Sequence, residues 1–560
     1  MKREIEKLAS REWDVLIVGG GIYGAWALWD ATLRGLSAAL IEKDDFGGAT
    51  SSNSLKIIHG GLRYLQHLDI KRMRESIHER KVLMRVAPQF VHPLPCVMPT
   101  YGHGVKGKEV MTAAMIMNDI IGFDRNKGSD PQKILPNGKT ISKEELLEIL
   151  PGLDETNLTG GAVWYDCQVY NSERMLISVI KSAVKQGAMA ANHTEVLNFI
   201  TEGNKVLGLN IRDKISGMTY TVKSKIVLNT TGPWINNLLG QLNGHRPKEE
   251  FRLSKAMNLV VNKRITQKFA AGIPSKFEFK DADAVINKGS RLLFFTPWRE
   301  YTLIGTTHVP WSGNPDEFAI TEEDVTTFLD EFNQAYPAMA IQRDEVVYHY
   351  GGLLPMDDNG EIKSEHDVKL TKHYKLIDHQ QLNGLEGLVS ILGVKYTTAR
   401  DVAAKSVNVI MKKLRKRGRS RTEKVNITGG EIGNFAHFMQ EERAKRPWSL
   451  DESVVEHLVY NFGADYTQVL ALLNDNDAWS EKVSDDAAVL QAEIVYGIRE
   501  EMALHLTDVI KRRTELGSAA YPGDEAAERC ADLMAAELGW DDEQKEYELD
   551  ALKQSYQTVD

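Results

Sequence analysis

Three glycines near the start of the chain have the spacing that binds a dinucleotide. Gly19, Gly21 and Gly24 follow the apolar run 14–18 and precede a helical segment, residues 25–34, which ends at a glycine. In such a turn the first glycine permits a sharp reversal, and the second lets the backbone approach a pyrophosphate at the helix N-terminus. The third lets the helix pack closely on the strand.

An acidic residue completes this pattern. Glu42 closes a second apolar run, residues 37–41, about 20 residues after the glycines, where a carboxylate can hold a ribose hydroxyl. Strand, glycines, helix, strand and acid in this order predict a Rossmann-like domain of the α/β class. The position close to the start of a long chain favours FAD over NAD, and the sequence has no second fingerprint for a nicotinamide cofactor.

A hydroxyl-rich block follows the second strand. Thr50, Ser51, Ser52 and Ser54 offer hydroxyl and N–H groups to phosphate and flavin oxygens. The whole stretch 49–65, ATSSNSLKIIHGGLRYL, resembles the signature of FAD-dependent glycerol-3-phosphate dehydrogenases, which belong to the glycine-oxidase-like (DAO) superfamily of flavoproteins.

Three later blocks are similar to the same family, in the same order. They are NTTGPW at 229–234, GTT at 305–307 after an apolar strand, and LGVKYTTAR at 392–400. The helix predicted to begin near Thr397 would direct its N-terminus at the flavin, and Lys395 would add a positive charge there. Together, residue chemistry and resemblance predict these cofactor contacts: Gly19, Gly21, Ile22, Tyr23, Gly24, Glu42, Lys43, Thr50, Ser51, Ser52, Ser54, Lys56, Val196, Thr231, Gly232, Trp234, Gly393, Lys395, Tyr396 and Thr397.

The resemblance spans nearly the whole chain and implies its organisation. An FAD-dependent oxidoreductase unit would occupy residues 1–430, with a basic linker at 412–419 near its end, and an all-α C-terminal domain would occupy residues 440–560. Within the first unit, a discontinuous Rossmann-like FAD-binding domain would combine 10–90, 163–235 and 384–411. An antiparallel β-sheet substrate domain would combine 90–162 and 250–380. Residues 172–187 read as an amphipathic helix of the FAD-binding domain.

The resemblance also implies a reaction. A secondary alcohol, glycerol 3-phosphate in this family, is oxidised to a ketone with hydride transfer to flavin N5, and the electrons leave to quinone or oxygen. The candidate catalytic residues are His59, Arg63, Tyr64, His308 and Lys395. Arg63 suits an anionic substrate because a guanidinium offers a fork of donors, although a structural ion pair is the alternative.

Four positions depart from the family pattern around the substrate. Leu354 and Lys372 stand where the family has arginine, Asn258 where it has histidine, and His308 where it has aspartate. With Arg63 and Tyr64, the first three are the predicted substrate contacts. An imidazole with an ordinary pKa near roughly 6.5 would make His308 a base at neutral pH, unless it only fills a loop position.

These departures leave three functions open. Glycerol 3-phosphate oxidation is the leading one, a sibling enzyme with another hydroxylated or polyol-phosphate substrate is the second, and an FAD-binding protein without turnover is the third. Arg63, Tyr64 and Lys395 are retained, which argues against the third.

Composition limits the partners and the location. The net charge of -10 argues against a nucleic-acid binder, and three scattered cysteines suggest neither disulfides nor a metal site. No apolar run is long enough to span a bilayer, so a cytoplasmic protein is expected. Peripheral attachment to an anionic membrane through residues 412–419 and 111–121 stays open, as do the electron acceptor and a homodimer.

Overall fold

The computed structural model describes residues 1–104, 107–242, 251–277, 291–356, 371 and 373–559. Its strands form two sheets. In chain order they are β1 (Trp13–Val18), β2 (Ala38–Ile41), β3 (Ile57–Ile58), β4 (Val91–Tyr101), β5 (Lys139–Ile141), β6 (Leu158–Val169), β7 (Met189–Ala191), β8 (Thr194–Glu202), β9 (Lys205–Asp213), β10 (Thr219–Asn229), β11 (Leu253–Val261), β12 (Ala270–Pro274), β13 (Leu292–Trp298), β14 (Tyr301–Trp311), β15 (Val346–Pro355), β16 (Lys375–Asp378) and β17 (Leu388–Leu392).

Helices cover both sheets and form the C-terminal region. They are α1 (Ile5–Ala9), α2 (Ile22–Leu33), α3 (Ile70–Val86), α4 (Lys108–Ile121), α5 (Lys143–Ile149), α6 (Ser172–Lys185), α7 (Ile235–Gly240), α8 (Glu322–Ala335), α9 (His379–Asn383), α10 (Ala399–Lys413), α11 (Phe435–Lys445), α12 (Glu452–Phe462), α13 (Tyr466–Leu470), α14 (Gln491–Glu501), α15 (Leu506–Asp508), α16 (Asp524–Leu538) and α17 (Asp542–Gln554). None in the described part of the chain is long and apolar enough to cross a bilayer.

The first sheet is built around the fingerprint strand. Its order is β16-β17-β10-β1-β2-β7, parallel except for β16 at the edge, and β8 and β9 extend from β10. The strands are buried on both faces, because α2, α6 and α10 pack on one face, and α1, α7 and the β8–β9 pair cover the other. The carboxyl ends of β1, β2, β10 and β17 therefore meet at one edge, where α/β sheets bind ligands.

The second sheet has the order β15-β11-β14-β13-β12-β4-β6-β3, with β5 beside β6. All its pairings are antiparallel except that of β12 with β4. One face packs on α8 through a core that includes Phe295, Phe328 and Phe332. The predicted fold class, a Rossmann-like domain with an antiparallel sheet and a helical C-terminal region, is confirmed.

Three strands pair in a different sheet from the one that the predicted domain ranges imply. β3 and the end of β6 fall within the ranges predicted for the FAD-binding domain but pair within the second sheet. β16 falls within the range predicted for the substrate domain but pairs with β17 in the first sheet. Local sequence could not place them because long-range pairing, and not their own pattern, decides which sheet a short strand joins.

The polar face of α6 differs from its sequence interpretation. An amphipathic pattern usually marks a helix with one solvated face, but α6 is buried from Ser172 to Ala183. Its Arg174 and Lys181 are paired with Glu501 of α14 instead of facing water. The C-terminal helices therefore cover the FAD-binding domain through buried ion pairs.

Candidate active site

A cavity of about 1800 Å³ lies between the two sheets. It begins at the carboxyl ends of the parallel strands and continues to the inner face of the second sheet, where β11, β13, β14 and β15 contribute side chains. A cavity that joins a dinucleotide fold to a second sheet can hold a cofactor and a substrate together.

Glycine is present at the three fingerprint positions for different structural reasons. Gly19 has a φ of +105°, and a Cβ there would lie 2.7 Å from the carbonyl oxygen of Thr230. A Cβ on Gly24 would lie 2.0 Å from the Gly19 oxygen, so Gly24 is required by the packing of α2 on β1. Gly21 has an ordinary φ of -75°, and its Cβ would come close only to Ser51 Oγ at 3.1 Å. The protein itself does not require glycine at 21, which fits a site that reserves this space for a dinucleotide.

Glu42 lies at the cavity wall, where the fingerprint predicts a ribose. Its carboxylate accepts hydrogen bonds from the backbone N–H groups of Gly20 (2.6 Å) and Asp44 (3.0 Å). Burial raises its pKa, while the two N–H donors oppose the rise. The loop after β2 is thus tied to the fingerprint before any cofactor binds.

Tyr23 ties a distant loop to the fingerprint helix. Its hydroxyl donates to the Lys395 carbonyl oxygen (2.8 Å) and accepts from the N–H groups of Val394 and Lys395 (both 3.1 Å). A Cβ on Gly393 would lie 2.1 Å from the Tyr23 ring, so only glycine allows this contact. The ring therefore fixes the loop that leads to α10, whose N-terminus the sequence predicts to face the flavin.

Most of the predicted cofactor contacts line the cavity, but three do not. Lys56 is buried, where its Nζ donates to the Ser52 carbonyl oxygen (2.7 Å) and pairs with Glu173. Ser52 Oγ donates to the Gly47 carbonyl oxygen. Lys56, Ser52 and Gly24 thus shape the site from behind its wall. The residues that line the cavity are Gly19, Gly21, Ile22, Tyr23, Glu42, Lys43, Thr50, Ser51, Ser54, Val196, Thr231, Gly232, Trp234, Gly393, Lys395, Tyr396 and Thr397.

Cationic side chains converge around Tyr64 in the cavity. The Nζ of Lys395 lies 4.3 Å from the centre of the Tyr64 ring, and the Arg72 guanidinium 4.8 Å from it. Arg72 is held by Asp69, but Arg63 and Lys395 form no ion pair with any described residue. Burial lowers the pKa of Lys395 to about 8, and Arg72 adds to the effect while the carboxylates of Asp69 and Glu75 oppose it. Cations that line a cavity without a direct ion-pair partner are typical of an anion-binding site.

A hydrogen-bonded pair of a histidine and an aspartate is the second feature of the cavity that could take part in chemistry. His59 lines the cavity, and its Nδ1 lies 3.2 Å from Asp166 Oδ2. Asp166 also accepts from the Gly60 N–H (2.6 Å) and Arg80 Nη1 (2.7 Å). Burial acts to raise the pKa of Asp166, but His59 and Arg80 outweigh burial and lower it to about 2. The ionised carboxylate directs the Nδ1 proton of His59 towards itself and leaves Nε2 free to accept one.

The altered substrate positions lie on neighbouring strands. Asn258 on β11 accepts a hydrogen bond from Thr306 Oγ1 (2.7 Å), and His308 on β14 and Leu354 on β15 line the same cavity. Burial lowers the pKa of His308 to about 3, and Arg291 and Arg63 add to this effect. The expectation of an ordinary pKa for His308 is therefore wrong. Lys372 lies outside the described residues.

Sequence reasoning missed three residues of the site: Arg72, Asp166 and Arg291. Arg291 donates to the Thr306 carbonyl oxygen (2.9 Å) and pairs with Glu331 at 3.4 Å. The sequence contains one indication of Asp166, because it is an acidic residue within the otherwise mostly apolar strand β6. Arg72 and Arg291 left none, because only tertiary packing brings them to the cavity.

The predicted membrane-facing helix carries an exposed apolar face. Ile116, Met117 and Ile120 of α4 are 55%, 44% and 61% exposed, and the nearby Phe123 is 80% exposed. The other side of α4 contributes Met111 and Ala114 to the cavity wall. In the basic segment 412–419, Lys413 and Lys416 are paired with acidic side chains.

Comparison with known proteins finds two family models along this chain. The family described as FAD dependent oxidoreductase matches residues 14–385, and the C-terminal domain of alpha-glycerophosphate oxidase matches residues 420–545. A glycerol-3-phosphate dehydrogenase of Synechocystis is 31% identical over 550 residues, 97% of this chain and 96% of the relative. Glycerol-3-phosphate dehydrogenase 2 of Mycobacterium tuberculosis is 30% identical over 544 residues, 96% of this chain and 86% of the relative.

A solved structure supports the fold. The crystal structure of a glycerol-3-phosphate dehydrogenase from Bacillus halodurans, complexed with FAD, aligns with a TM-score of 0.77 at 24% identity. The alignment covers 99% of this chain and 97% of that one. The chain, an oxidoreductase whose cofactor is FAD, thus belongs to the FAD-dependent glycerol-3-phosphate dehydrogenase family within the DAO superfamily.

Proposed function

We propose that the protein oxidises glycerol 3-phosphate to dihydroxyacetone phosphate. The observation that carries this proposal is the pair Arg63 and Lys395, two cations in the cavity that form no ion pair with a described residue. A phosphate dianion would supply a direct ion-pair partner, and Arg63 can offer it two parallel N–H donors. The relatives named for this activity support the same substrate class.

His59 is the proposed base. FAD, when bound, supplies the hydride acceptor. As the hydride leaves the C2 carbon of the substrate, the hydroxyl proton must leave with it, and His59 Nε2 can take that proton because Asp166 holds Nδ1. His308 has too low a pKa to compete, so we assign it and Asn258 to substrate positioning.

A different hydroxylated substrate is the second candidate. Leu354 favours it, because this apolar side chain lines the cavity at the position where the family has arginine. Loss of a bidentate phosphate donor would weaken the grip on glycerol 3-phosphate, unless Arg63 and Lys395 suffice.

Anaerobic bleaching of the bound flavin tests the proposal. Glycerol 3-phosphate should bleach it faster than glycerol or other polyol phosphates do, and Leu354→Arg should not raise the rate by more than about twofold. If another hydroxylated metabolite bleaches the flavin faster, the second candidate is correct. If no member of the panel bleaches a flavin that dithionite reduces, the protein binds FAD without turnover.

We further propose that the electrons leave to a quinone at a membrane surface. The exposed apolar face of α4 supports this proposal, because the same helix also lines the cavity.

A further inference from the structure

The C-terminal helical region reaches the FAD cavity. Helix α15 continues into a π-helical turn, Val509–Arg513, and Arg512 in this turn lines the cavity beside Asp44 and Asp45. Every other described residue that lines the cavity lies between Val18 and Thr397. Arg512 is therefore in position to affect the cofactor from a different part of the chain.

Asp45 is the point that the C-terminal region holds. Arg513 Nη1 and Nη2 donate to the two oxygens of Asp45, both at 2.7 Å, and Arg512 Nε donates to Asp45 Oδ2. Asn192 Nδ2 adds a hydrogen bond of 2.9 Å. Burial acts to raise the pKa of Asp45, but the two guanidinium groups outweigh burial and hold the pKa far below its ordinary value.

A second acidic residue completes a buried cluster. Arg512 Nη2 donates to Asp508 Oδ1 (2.7 Å), and Asp508 Oδ2 lies 3.0 Å from His193 Nε2. Asp45, His193 and Asp508 are close enough together to hold a metal ion. The two arginines already neutralise the two carboxylates, however, so a cation there would be repelled. The cluster is better explained as an ion-pair lock between two parts of the chain.

The lock acts on the loop that surrounds the predicted ribose and pyrophosphate contacts. Asp45 follows Glu42 by three residues, and its carbonyl oxygen accepts from the Gly48 N–H (3.0 Å). The preceding glycine, Gly47, donates its N–H to the Gly20 carbonyl oxygen (3.1 Å), within the fingerprint. A shift of Asp45 would therefore move the loop and the fingerprint against each other.

We propose that the C-terminal region is part of the FAD site, because Arg512 and Arg513 hold Asp45 and thereby keep residues 42–51 in the conformation that binds the cofactor. This role concerns cofactor affinity, and it is independent of which substrate the enzyme oxidises. The arginines are positioning residues for the loop. Removing one partner of such a buried pair leaves an uncompensated charge, which strains the loop.

Three variants of the full-length protein test the lock: Asp45→Asn, Arg512→Gln and Arg512→Lys. Apoprotein prepared by FAD removal is titrated with FAD, and the Kd is read from quenching of flavin fluorescence. Asp45→Asn and Arg512→Gln should raise the Kd at least tenfold. Arg512→Lys, which can still form one charged hydrogen bond, should recover part of the loss.

The matched control is Arg299→Gln. Arg299 pairs with Glu515 at 3.1 Å and donates to Ser518 Oγ at 2.9 Å, so it joins the C-terminal region to the second sheet. Its side chain is 11% exposed, against 12% for Arg512, and none of these bonds involves residues 42–51. This variant should lower the Tm and change the Kd for FAD less than twofold.

Several outcomes overturn the proposal. One is a Kd within twofold of wild type in both Asp45→Asn and Arg512→Gln, and another is an equal loss of affinity in Arg299→Gln, which would indicate general domain docking. A Kd that rises on treatment with EDTA and recovers with Zn²⁺ would show that the cluster holds a metal instead. If Asp45→Asn does not fold, the comparison of Arg512→Gln with Arg512→Lys decides.

Discussion

The protonation of Lys395 should control substrate affinity above neutral pH. Burial and the neighbouring Arg72 lower its pKa to about 8, against an ordinary value of about 10.4. The free enzyme therefore carries this positive charge below pH 8 and loses it as the pH rises through 8. An anionic substrate binds the protonated form, so affinity is present below this pKa and lost above it.

The size of the effect follows from the titration. With a pKa of about 8, about nine in ten molecules carry the proton at pH 7 and about one in eleven at pH 9. If the substrate binds only the protonated form, kcat/KM should fall about tenfold over this interval. The kcat should change much less, because the bound phosphate dianion raises the pKa of Lys395 in the complex. The substrate contributes little to the profile, since its second phosphate pKa lies near roughly 6.

Steady-state rates with glycerol 3-phosphate and an artificial electron acceptor, between pH 7 and pH 9, measure this dependence. Lys395→Arg is the matched variant, because arginine keeps its charge at every pH in the range. Its kcat/KM should be flat where that of the wild type falls. A flat wild-type profile, or an equal fall in Lys395→Arg, would refute the assignment of Lys395 to the anionic group.

Further predictions concern the cofactor, the base and the membrane. Gly21→Val should give a folded protein without FAD, because the valine side chain would occupy the space reserved for the cofactor; circular dichroism and flavin absorbance measure the two properties. Gly24→Val should instead fail to fold, because its Cβ would lie 2.0 Å from the Gly19 oxygen. His59→Gln should slow flavin reduction by roughly 100-fold in stopped-flow experiments, and His308→Asn by roughly tenfold or less; the reverse order would make His308 the base. Sedimentation with acidic vesicles should show binding at low salt, because each basic residue near an anionic surface contributes about 1 kcal/mol. Ile120→Glu should weaken this binding, because it places a negative charge in the exposed apolar face of α4. No binding at low salt would exclude the membrane proposal.

The sequence by itself determined the fold class, the family and the cofactor. The fingerprint at Gly19, Gly21 and Gly24 can be recognised in the sequence because each glycine meets a local structural requirement. These requirements are a positive φ, space for a ligand, and close packing of one helix. The block 49–65 is equally local. Such features lie within one strand, turn and helix, so the order of residues is enough to find them.

Only the tertiary structure decided how the site is charged and which groups can act. Asp166 reaches His59 across 107 residues, and Arg291, which immediately precedes β13, acts on His308 of β14, so neither relation is visible along the chain. The pKa values of Lys395 and His308 depend on burial and on charges from other elements. The C-terminal arginines reach Asp45 across more than 460 residues. Electrostatic effects follow distance in space, which the sequence does not specify.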